Sequence, residues 1–265
     1  MTFGFIGTGS MGGALARAAR RRLEGGQILL ANRTEAKAAA LAKELGASLS
    51  NNRTIAGNAD YVFLGVKPQM MGDLLAEIGP ELRSRKDRFV LVSMAAGRSV
   101  ADIQAMAEGD YPVLRIMPNT PCSIGEGMVL YTPGPGVTEA EVQVFLESMA
   151  GAGRFSPIPE KQMDAGSAVA GCGPAFVDLF VEALADGGVA CGLPRAQALE
   201  FAAQMVLGSA RLLLESGKHP GELKDAVCSP GGTTIQGVRK LEEAGFRGAV
   251  MNAVIAACEK GGNVK

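Results

Sequence analysis

Phe5-Ile6-Gly7-Thr8-Gly9-Ser10-Met11-Gly12 is the stretch on which the fold turns. Its glycines have the spacing G-x-G-x-x-G, and its neighbours give that spacing a meaning. The apolar run Phe3-Gly4-Phe5-Ile6 leads into it, and Met11, Leu15, Ala19 and Leu23 follow on one helical face. A strand that turns through such glycines into a helix is the phosphate-binding corner of a dinucleotide-binding domain. Gly7 permits the tight turn, Gly9 lets backbone approach a pyrophosphate, and Gly12 packs helix on strand. Thr8, Ser10 and Met11 complete the corner, where free N–H groups at the helix start offer partial positive charge.

Outward from that corner the pattern repeats. Ile28-Leu29-Leu30-Ala31, Tyr61-Val62-Phe63-Leu64-Gly65-Val66, Phe89-Val90-Leu91-Val92 and Val113-Leu114-Arg115-Ile116 read as strands buried on both faces. Helical patterns lie between them, at 11–23, 35–45 and 69–82. Strand and helix in alternation imply a parallel sheet with right-handed crossovers. Pro157-Ile158-Pro159 then breaks the chain, and the rest reads as helices at 161–170, 174–189, 194–216, 221–227, 233–243 and 246–259. The expected fold class is therefore α/β. A Rossmann-type doubly wound parallel sheet occupies 1–158, and a smaller all-α C-terminal domain follows at 159–265.

The helix at 194–216 also speaks to assembly. Its polar residues Gln197, Glu200, Gln204, Arg211 and Glu215 form one narrow stripe. Leu199, Phe201, Ala202, Met205, Val206, Leu207, Leu212 and Leu213 cover its other faces. A helix so apolar around its girth is buried on several sides. A domain of about a hundred residues has little interior to offer it. A second subunit is expected to supply the rest, so the helical domain is read as a dimerisation domain.

The end of the second strand selects the dinucleotide. Domains that bind NAD usually place Asp or Glu there, to accept from ribose hydroxyls. This chain has Asn32-Arg33-Thr34 instead. With no carboxylate to repel a 2′-phosphate, Arg33 can grip one, and Asn32 and Thr34 can hydrogen-bond beside it. NADP is the expected cofactor, although enzymes of this type can accept NAD as well. Two more strand ends should line the crevice. Val66-Lys67-Pro68 follows one of them, with Lys67 read as a binding group near phosphate or ribose. Ala95-Ala96-Gly97 follows the other, small enough for the cofactor to lie close to backbone. Asn119, in Met117-Pro118-Asn119-Thr120-Pro121, is held between prolines as a fixed polar group for nicotinamide or substrate.

Composition excludes several classes. A formal charge of −1 lacks the basic excess of a nucleic-acid surface. The apolar runs are read as broken by Gly and charge before membrane-spanning length. The first strand begins without a basic leader, and five scattered cysteines lack zinc-type spacing. A cytoplasmic protein with reduced thiols and no metal is expected. A single histidine, His219, excludes any mechanism built on several. Asp178, Glu182 and Asp186 share a helix face but have no His beside them.

The sharpest signal in the helical half is Ser229-Pro230-Gly231-Gly232-Thr233-Thr234-Ile235. Two glycines leave backbone N–H groups accessible where a helix starts, and Ser or Thr can cap it. This is a second anion site, suited to a small carboxylate. It assigns Ser229, Gly231, Gly232, Thr233 and Thr234 to substrate.

These segments together resemble the pyrroline-5-carboxylate reductase family nearly end to end. The likeness runs from the glycine corner through Val66-Lys67-Pro68-Gln69 and Met117-Pro118-Asn119-Thr120-Pro121. It continues in Gly171-Cys172-Gly173-Pro174-Ala175-Phe176, Ala183-Leu184-Ala185-Asp186-Gly187-Gly188-Val189 and His219-Pro220-Gly221-Glu222-Leu223-Lys224-Asp225. The Ser-Pro-Gly-Gly-Thr-Thr segment is the most specific part. The resemblance implies reduction of 1-pyrroline-5-carboxylate to L-proline by NAD(P)H, the last step of proline biosynthesis. It also implies a homodimer of interlocked C-terminal helices, with higher assembly in some members. The family commonly has Ser where Ala170 stands and Tyr where Phe176 stands; each departure removes one hydroxyl.

The chemistry suits the residues. A protonated imine is already electrophilic, so orientation matters more than a strong acid. The Thr234 hydroxyl is the expected catalytic group, orienting the imine nitrogen or relaying its proton. Two other readings have a footing. A broad imine reductase or β-hydroxyacid dehydrogenase relative would share the architecture, but the latter sets Lys and then Asn on the helix after the sheet, and 166–176 has neither. A non-enzymatic NADP-sensing module would not need the carboxylate loop.

Overall fold

The computed structural model describes residues 1–262. Among these, eight strands form one sheet: β1 (Phe3–Ile6), β2 (Ile28–Ala31), β3 (Ser48–Leu49), β4 (Tyr61–Leu64), β5 (Val90–Ser93), β6 (Val113–Met117), β7 (Gly127–Pro133) and β8 (Gly153–Pro157). Their order is β3-β2-β1-β4-β5-β6-β7-β8. The chain goes out from β1 on one side, returns, and leaves β4 on the other. The switch between β1 and β4 opens a crevice at the strands' carboxyl ends. From β3 to β6 every pairing is parallel.

β7 departs from the expected all-parallel sheet. It runs antiparallel to β6, with Met117 opposite Leu130, and β8 then lies parallel to β7. The connection between β6 and β7 holds only the 3-10 turn Thr120–Ile124. It is too short for the crossover of a dozen or more residues that a parallel partner needs.

The central strands alternate their side chains between two helical layers. Phe3, Phe5 and Phe63 face one way and stack, Phe5 on Phe63 at 4.2 Å and Phe3 on Tyr61 at 4.7 Å between ring centres. Leu15 of α1 (Ser10–Arg20) and Phe145 from the later helix Glu139–Met149 close that side. Val62 and Leu64 face the other way, against Ile55, Leu75 and Ile78. Those three belong to α3 (Asn52–Asn58) and α4 (Met71–Ser84), with α2 (Glu35–Leu45) before them. α5 (Val100–Ala107) adds Val100 and Ile103, and the helix bearing Phe145 is α6.

The start of α6 gives a pH-dependent joint. Glu141 accepts from the Thr138 N–H at 2.7 Å and its hydroxyl at 2.8 Å, and Thr138 Oγ1 accepts from the Glu141 N–H. Arg88 donates to the same carboxylate at 2.6 and 2.9 Å. The Arg88 hydrogen bonds chiefly, then those from Thr138, outweigh burial and hold the Glu141 carboxyl down from 4.5 to about 2. A carboxyl whose folded pKa is depressed stabilises the fold above its unfolded pKa and loses that stabilisation as pH falls through the folded one. The unfolding temperature of the wild type should therefore fall more steeply than that of Glu141→Gln between pH 4.5 and 2. Parallel slopes in thermal melts would show that the joint does not form.

By internal packing the described residues make two compact units, Gly173–Ala256 and the remainder: Met1–Cys172 with 257–262. The first unit extends past Pro159 through α7 (Met163–Gly166) and the π turn Ser167–Gly171. Met163 is fully buried against Met117 and Leu130 there. The second unit holds α8 (Gly173–Ala190), α9 (Arg195–Ser216), α10 (Pro220–Ala226), α11 (Thr233–Glu243) and most of α12 (Phe246–Gly262). Its buried residues, among those described, are Ala185, Ala198 and Ala202. Leu179, Phe201, Leu207, Leu214 and Met251 are each more than half exposed.

One sequence expectation needs correction here. The helical stretch Glu160–Ala190 is long and apolar enough, by length and composition, to cross a membrane. The glycines that were read as interrupting it are all accommodated within helix. Its exposed Val177 and Leu179 have the same character as Phe201 and Leu207 of α9. A set of helices with apolar faces in common has the composition of a protein-covered interface.

Candidate active site

The cleft is built by glycines that leave no room between elements and one glycine that leaves room for a ligand. Gly7 has φ +95°, and its N–H donates to Ala31 O at 2.8 Å. A Cβ on Gly7 would stand 2.5 Å from Gly65 O, and one on Gly65 would stand 2.5 Å from Gly7 O. The carboxyl ends of β1 and β4 thus touch through bare backbone. A Cβ on Gly12 would fall 2.0 Å from Gly7 O, so α1 also rests directly on the turn. Gly9 is different, with nothing within 4 Å of its Cβ position. It precedes α1 without any side-chain cap, so the first N–H groups of that helix face open space.

That space is a cleft of about 750 Å³. Of the residues expected there, Gly7, Gly9, Ser10, Met11, Gly12, Asn32, Arg33, Thr34, Val66, Lys67, Pro68 and Ala96 line it. Thr8 does not: it is buried, its N–H donates to Asn32 Oδ1 at 3.1 Å, and its hydroxyl has no partner. Ala95 is buried behind the wall. Gly97, at φ +69°, is not among the residues that line the cleft. Asn32 does a structural task as well, since its Nδ2 donates to Thr34 O at 3.1 Å. It ties the glycine corner to the end of β2 and fixes where Arg33 starts.

Lining residues outside the sequence reading include Lys37, Met94, Gly65 and Asn52, beside Ile6, Met70, Asp73, Leu74 and Glu77. Lys37, in the first turn of α2, lines the same corner as Arg33. Met94 lines the wall beside Ala96, and Gly65 supplies the close approach to Gly7. Asn52 also reaches the cleft, its Nδ2 donating to both carboxylate oxygens of Glu77 at 3.0 and 3.2 Å. This last pair joins α3 to α4 and has no local signature.

Asn119 departs most from expectation. The residue is only 8% exposed, and its side chain is held by the protein itself. Oδ1 accepts from the Met128 N–H at 3.0 Å, and Nδ2 donates to Ala170 O at 3.0 Å. It is absent from the cleft lining.

The second unit carries the other expected site. Ser229 to Thr234 form a turn closed by Gly232 N–H donating to Ser229 O at 3.0 Å, with Gly231 at φ +69°. The residue that caps α11 is Gly232, not a Ser or Thr, and no side chain accepts from the first turn. No side chain therefore takes the first-turn amides of Thr233 and Thr234, which are free to meet a ligand. Ser229, Gly231, Thr233 and Thr234 are exposed in the single chain and Gly232 is half-buried. His219 is accounted for: its Nδ1 accepts from Gly221 N–H at 3.1 Å and caps α10. Asp186 pairs with Arg195 at 2.6 Å, and no cluster of metal-ligating residues occurs among the described residues.

The site does what a dinucleotide needs. The corner offers unpaired amides, the far end of the cleft carries two cations, and bare backbone allows close approach. Comparison with known proteins gives the same direction. Residues 160–264 match the family model described as pyrroline-5-carboxylate reductase dimerisation, and 2–97 match that of NADP oxidoreductase, coenzyme F420-dependent. The chain is 42% identical to the pyrroline-5-carboxylate reductase of Escherichia coli, over 97% of this chain and 96% of that one. It is 41% identical to the enzyme of that name from Glycine max, over 98% of this chain and 94% of the other. The crystal structure of Plasmodium falciparum pyrroline carboxylate reductase with NADP bound superposes with a TM-score of 0.88 at 33% identity, covering 99% of this chain and 97% of that one. With an α/β unit holding a dinucleotide-type cleft, a helical unit whose α11 starts without a side-chain cap, and this likeness along nearly the whole length, the chain belongs to the pyrroline-5-carboxylate reductase family.

Proposed function

We propose that the protein reduces 1-pyrroline-5-carboxylate to L-proline, the last step of proline biosynthesis, with NADPH as its preferred reductant. The uncapped start of α11 carries this reading, because it gives a family member the free amides that a substrate carboxylate requires. The dinucleotide supplies a hydride to the imine carbon, and the C=N bond becomes a C–N single bond. The chain's residues bind and orient. Gly9 and the first amides of α1 receive pyrophosphate, while Arg33 and Lys37 receive the 2′-phosphate. Val66, Lys67, Pro68 and Ala96 bound the ribose on the nicotinamide side. Ser229, Gly231, Gly232 and Thr233 take the carboxylate, and the Thr234 hydroxyl holds the imine nitrogen and its proton.

The homodimer forms through the C-terminal helices, whose apolar faces a second copy covers. A reducing cytoplasm suits the five free cysteines.

The assay is NADPH oxidation with 1-pyrroline-5-carboxylate, followed by identification of the product. Turnover without L-proline, or none at all, would overturn the reading. Thr234→Ala should lower kcat/KM for the imine about tenfold or more, since an orienting hydrogen bond at the reacting centre is lost. NADPH binding, followed by fluorescence, should stay intact. Loss of NADPH affinity instead would move Thr234 out of the substrate site.

A further inference from the structure

We propose that Asn119 is a positioning residue that clamps the carboxyl end of β6 to the π turn Ser167–Gly171 and so fixes the wall next to the nicotinamide end of the cleft. The inference rests on the reading of the cleft as the NADPH site. Strand order supplies the location. Arg33 stands at the end of β2, the glycine corner at β1, Lys67 after β4, and Met94 and Ala96 after β5. A dinucleotide laid along that series has its reactive ring toward the next strand, β6, which ends at Met117.

Asn119 sits just beyond that end with both halves of its carboxamide in use. Met128 N–H at 3.0 Å and Ala170 O at 3.0 Å come from opposite sides, one from β7 and one from the π turn. A π turn is rarer and less regular than the α-helical turns around it. Here its i→i+5 bond, Cys172 N–H to Ser167 O, measures 3.0 Å. Ala170 also packs with the small cluster of Met117, Leu130 and Met163. One polar side chain thus joins three segments beyond the end of β6, while Arg115 within β6 pairs with Glu160 at 3.2 Å and Asp164 at 3.7 Å ahead of the π turn. An asparagine is needed because the position must accept on one side and donate on the other. Aspartate has the same shape, but when ionised it can only accept.

That difference gives the test. Asn119→Asp and Asn119→Ala would be assayed as assembled protein for NADPH affinity by fluorescence and for kcat with 1-pyrroline-5-carboxylate. Both should lose about ten- to a hundredfold in kcat, the scale of a small misplacement at a reacting centre. NADPH affinity should stay within about twofold of the wild type, because pyrophosphate and 2′-phosphate contacts remain. A buried aspartate beside a carbonyl has its pKa raised. Once protonated it donates to Ala170 O again, so the ratio of Asn119→Asp to wild-type kcat should climb as pH falls from about 8 to about 6. The same ratio for Asn119→Ala should stay flat.

Amide exchange at Cys172 should quicken in Asn119→Ala. NADPH affinity falling in step with kcat would make Asn119 a cofactor ligand and overturn the clamp. A lowered Tm with unchanged kcat would make it a packing residue only and overturn it as well. A wild type that binds NADPH yet reduces no 1-pyrroline-5-carboxylate would instead refute the proposed function, and in that case the exchange rate at Cys172 still tests the clamp.

Discussion

Gly12→Val is expected to abolish NADPH binding, with no saturation at millimolar cofactor, and to lower the unfolding temperature by several degrees. A Cβ at position 12 falls 2.0 Å from Gly7 O, and both atoms belong to rigid backbone. Neither can swing aside as the end of a long side chain could. Overpacking of this kind costs roughly 1–3 kcal/mol or more. The helix must lift from the turn, which carries its free amides away from the pyrophosphate. Gly9→Ala is the informative companion. Position 9 has φ −68° and ψ −166°, which any residue adopts, and no neighbour within reach of a Cβ. Its fold should be untouched and its Tm should match the wild type. Its NADPH affinity should still drop, because the added methyl occupies the space left for phosphate. Isothermal titration and thermal melts on the two variants read both quantities. If Gly12→Val bound NADPH normally, the direct contact of α1 with the turn would be wrong. If Gly9→Ala bound it normally, the pyrophosphate would have to lie elsewhere.

Arg33→Ala should weaken NADPH by about ten- to a hundredfold, since a hydrogen bond to a charged group contributes roughly 1.5–3 kcal/mol. NADH, which lacks the 2′-phosphate, should bind almost as before. Lys37 lines the same corner and acts on the same phosphate as a point charge. Arg33→Ala with Lys37→Ala should therefore lose more than either alone, and the selectivity for NADPH should approach parity. Kd values for the two cofactors across the three variants decide it. Equal losses for NADPH and NADH would place Arg33 against a part of the cofactor that both share.

The sequence revealed the elements whose signal is local. The glycine corner, the buried strands β1, β2, β4, β5 and β6, and helices α2 and α11 could be read because apolar periodicity and turn chemistry lie within a few residues. β7 and β8 were missed. β7 carries an apolar run, Met128-Val129-Leu130-Tyr131, that follows the glycine-containing turn 125–127 with no helical pattern before it, and β8, Gly153-Arg154-Phe155-Ser156-Pro157, has no apolar run at all. A helix start was expected after Ser229–Gly232 and α11 begins there, but its cap was assigned to the wrong kind of residue. Gly232 holds that position, and the hydroxyls on either side leave the amides free. Asn119 was marked as important from its flanking prolines. Its Oδ1 accepts from the Met128 N–H and, at 3.8 Å, from Cys122 Sγ, and its Nδ2 donates to Ala170 O, 51 residues away; no pattern near position 119 could name Met128 or Ala170. Asn52 with Glu77 is the same case, a bond between two helices that only the sheet brings together.

A unit whose buried residues are three alanines has almost no stability of its own to draw on. The free energy that holds α8, α9, α11 and α12 in place must come from covering Leu179, Phe201, Leu207, Leu214 and Met251, and in a homodimer that cover is another molecule. Folding of this half and association are then one equilibrium, and its position depends on how much protein is present. Dilution acts as a denaturant. The unfolding temperature should rise with protein concentration, activity should decay in assays run far below the dissociation constant, and a cell that makes too little of this chain would hold it partly unfolded.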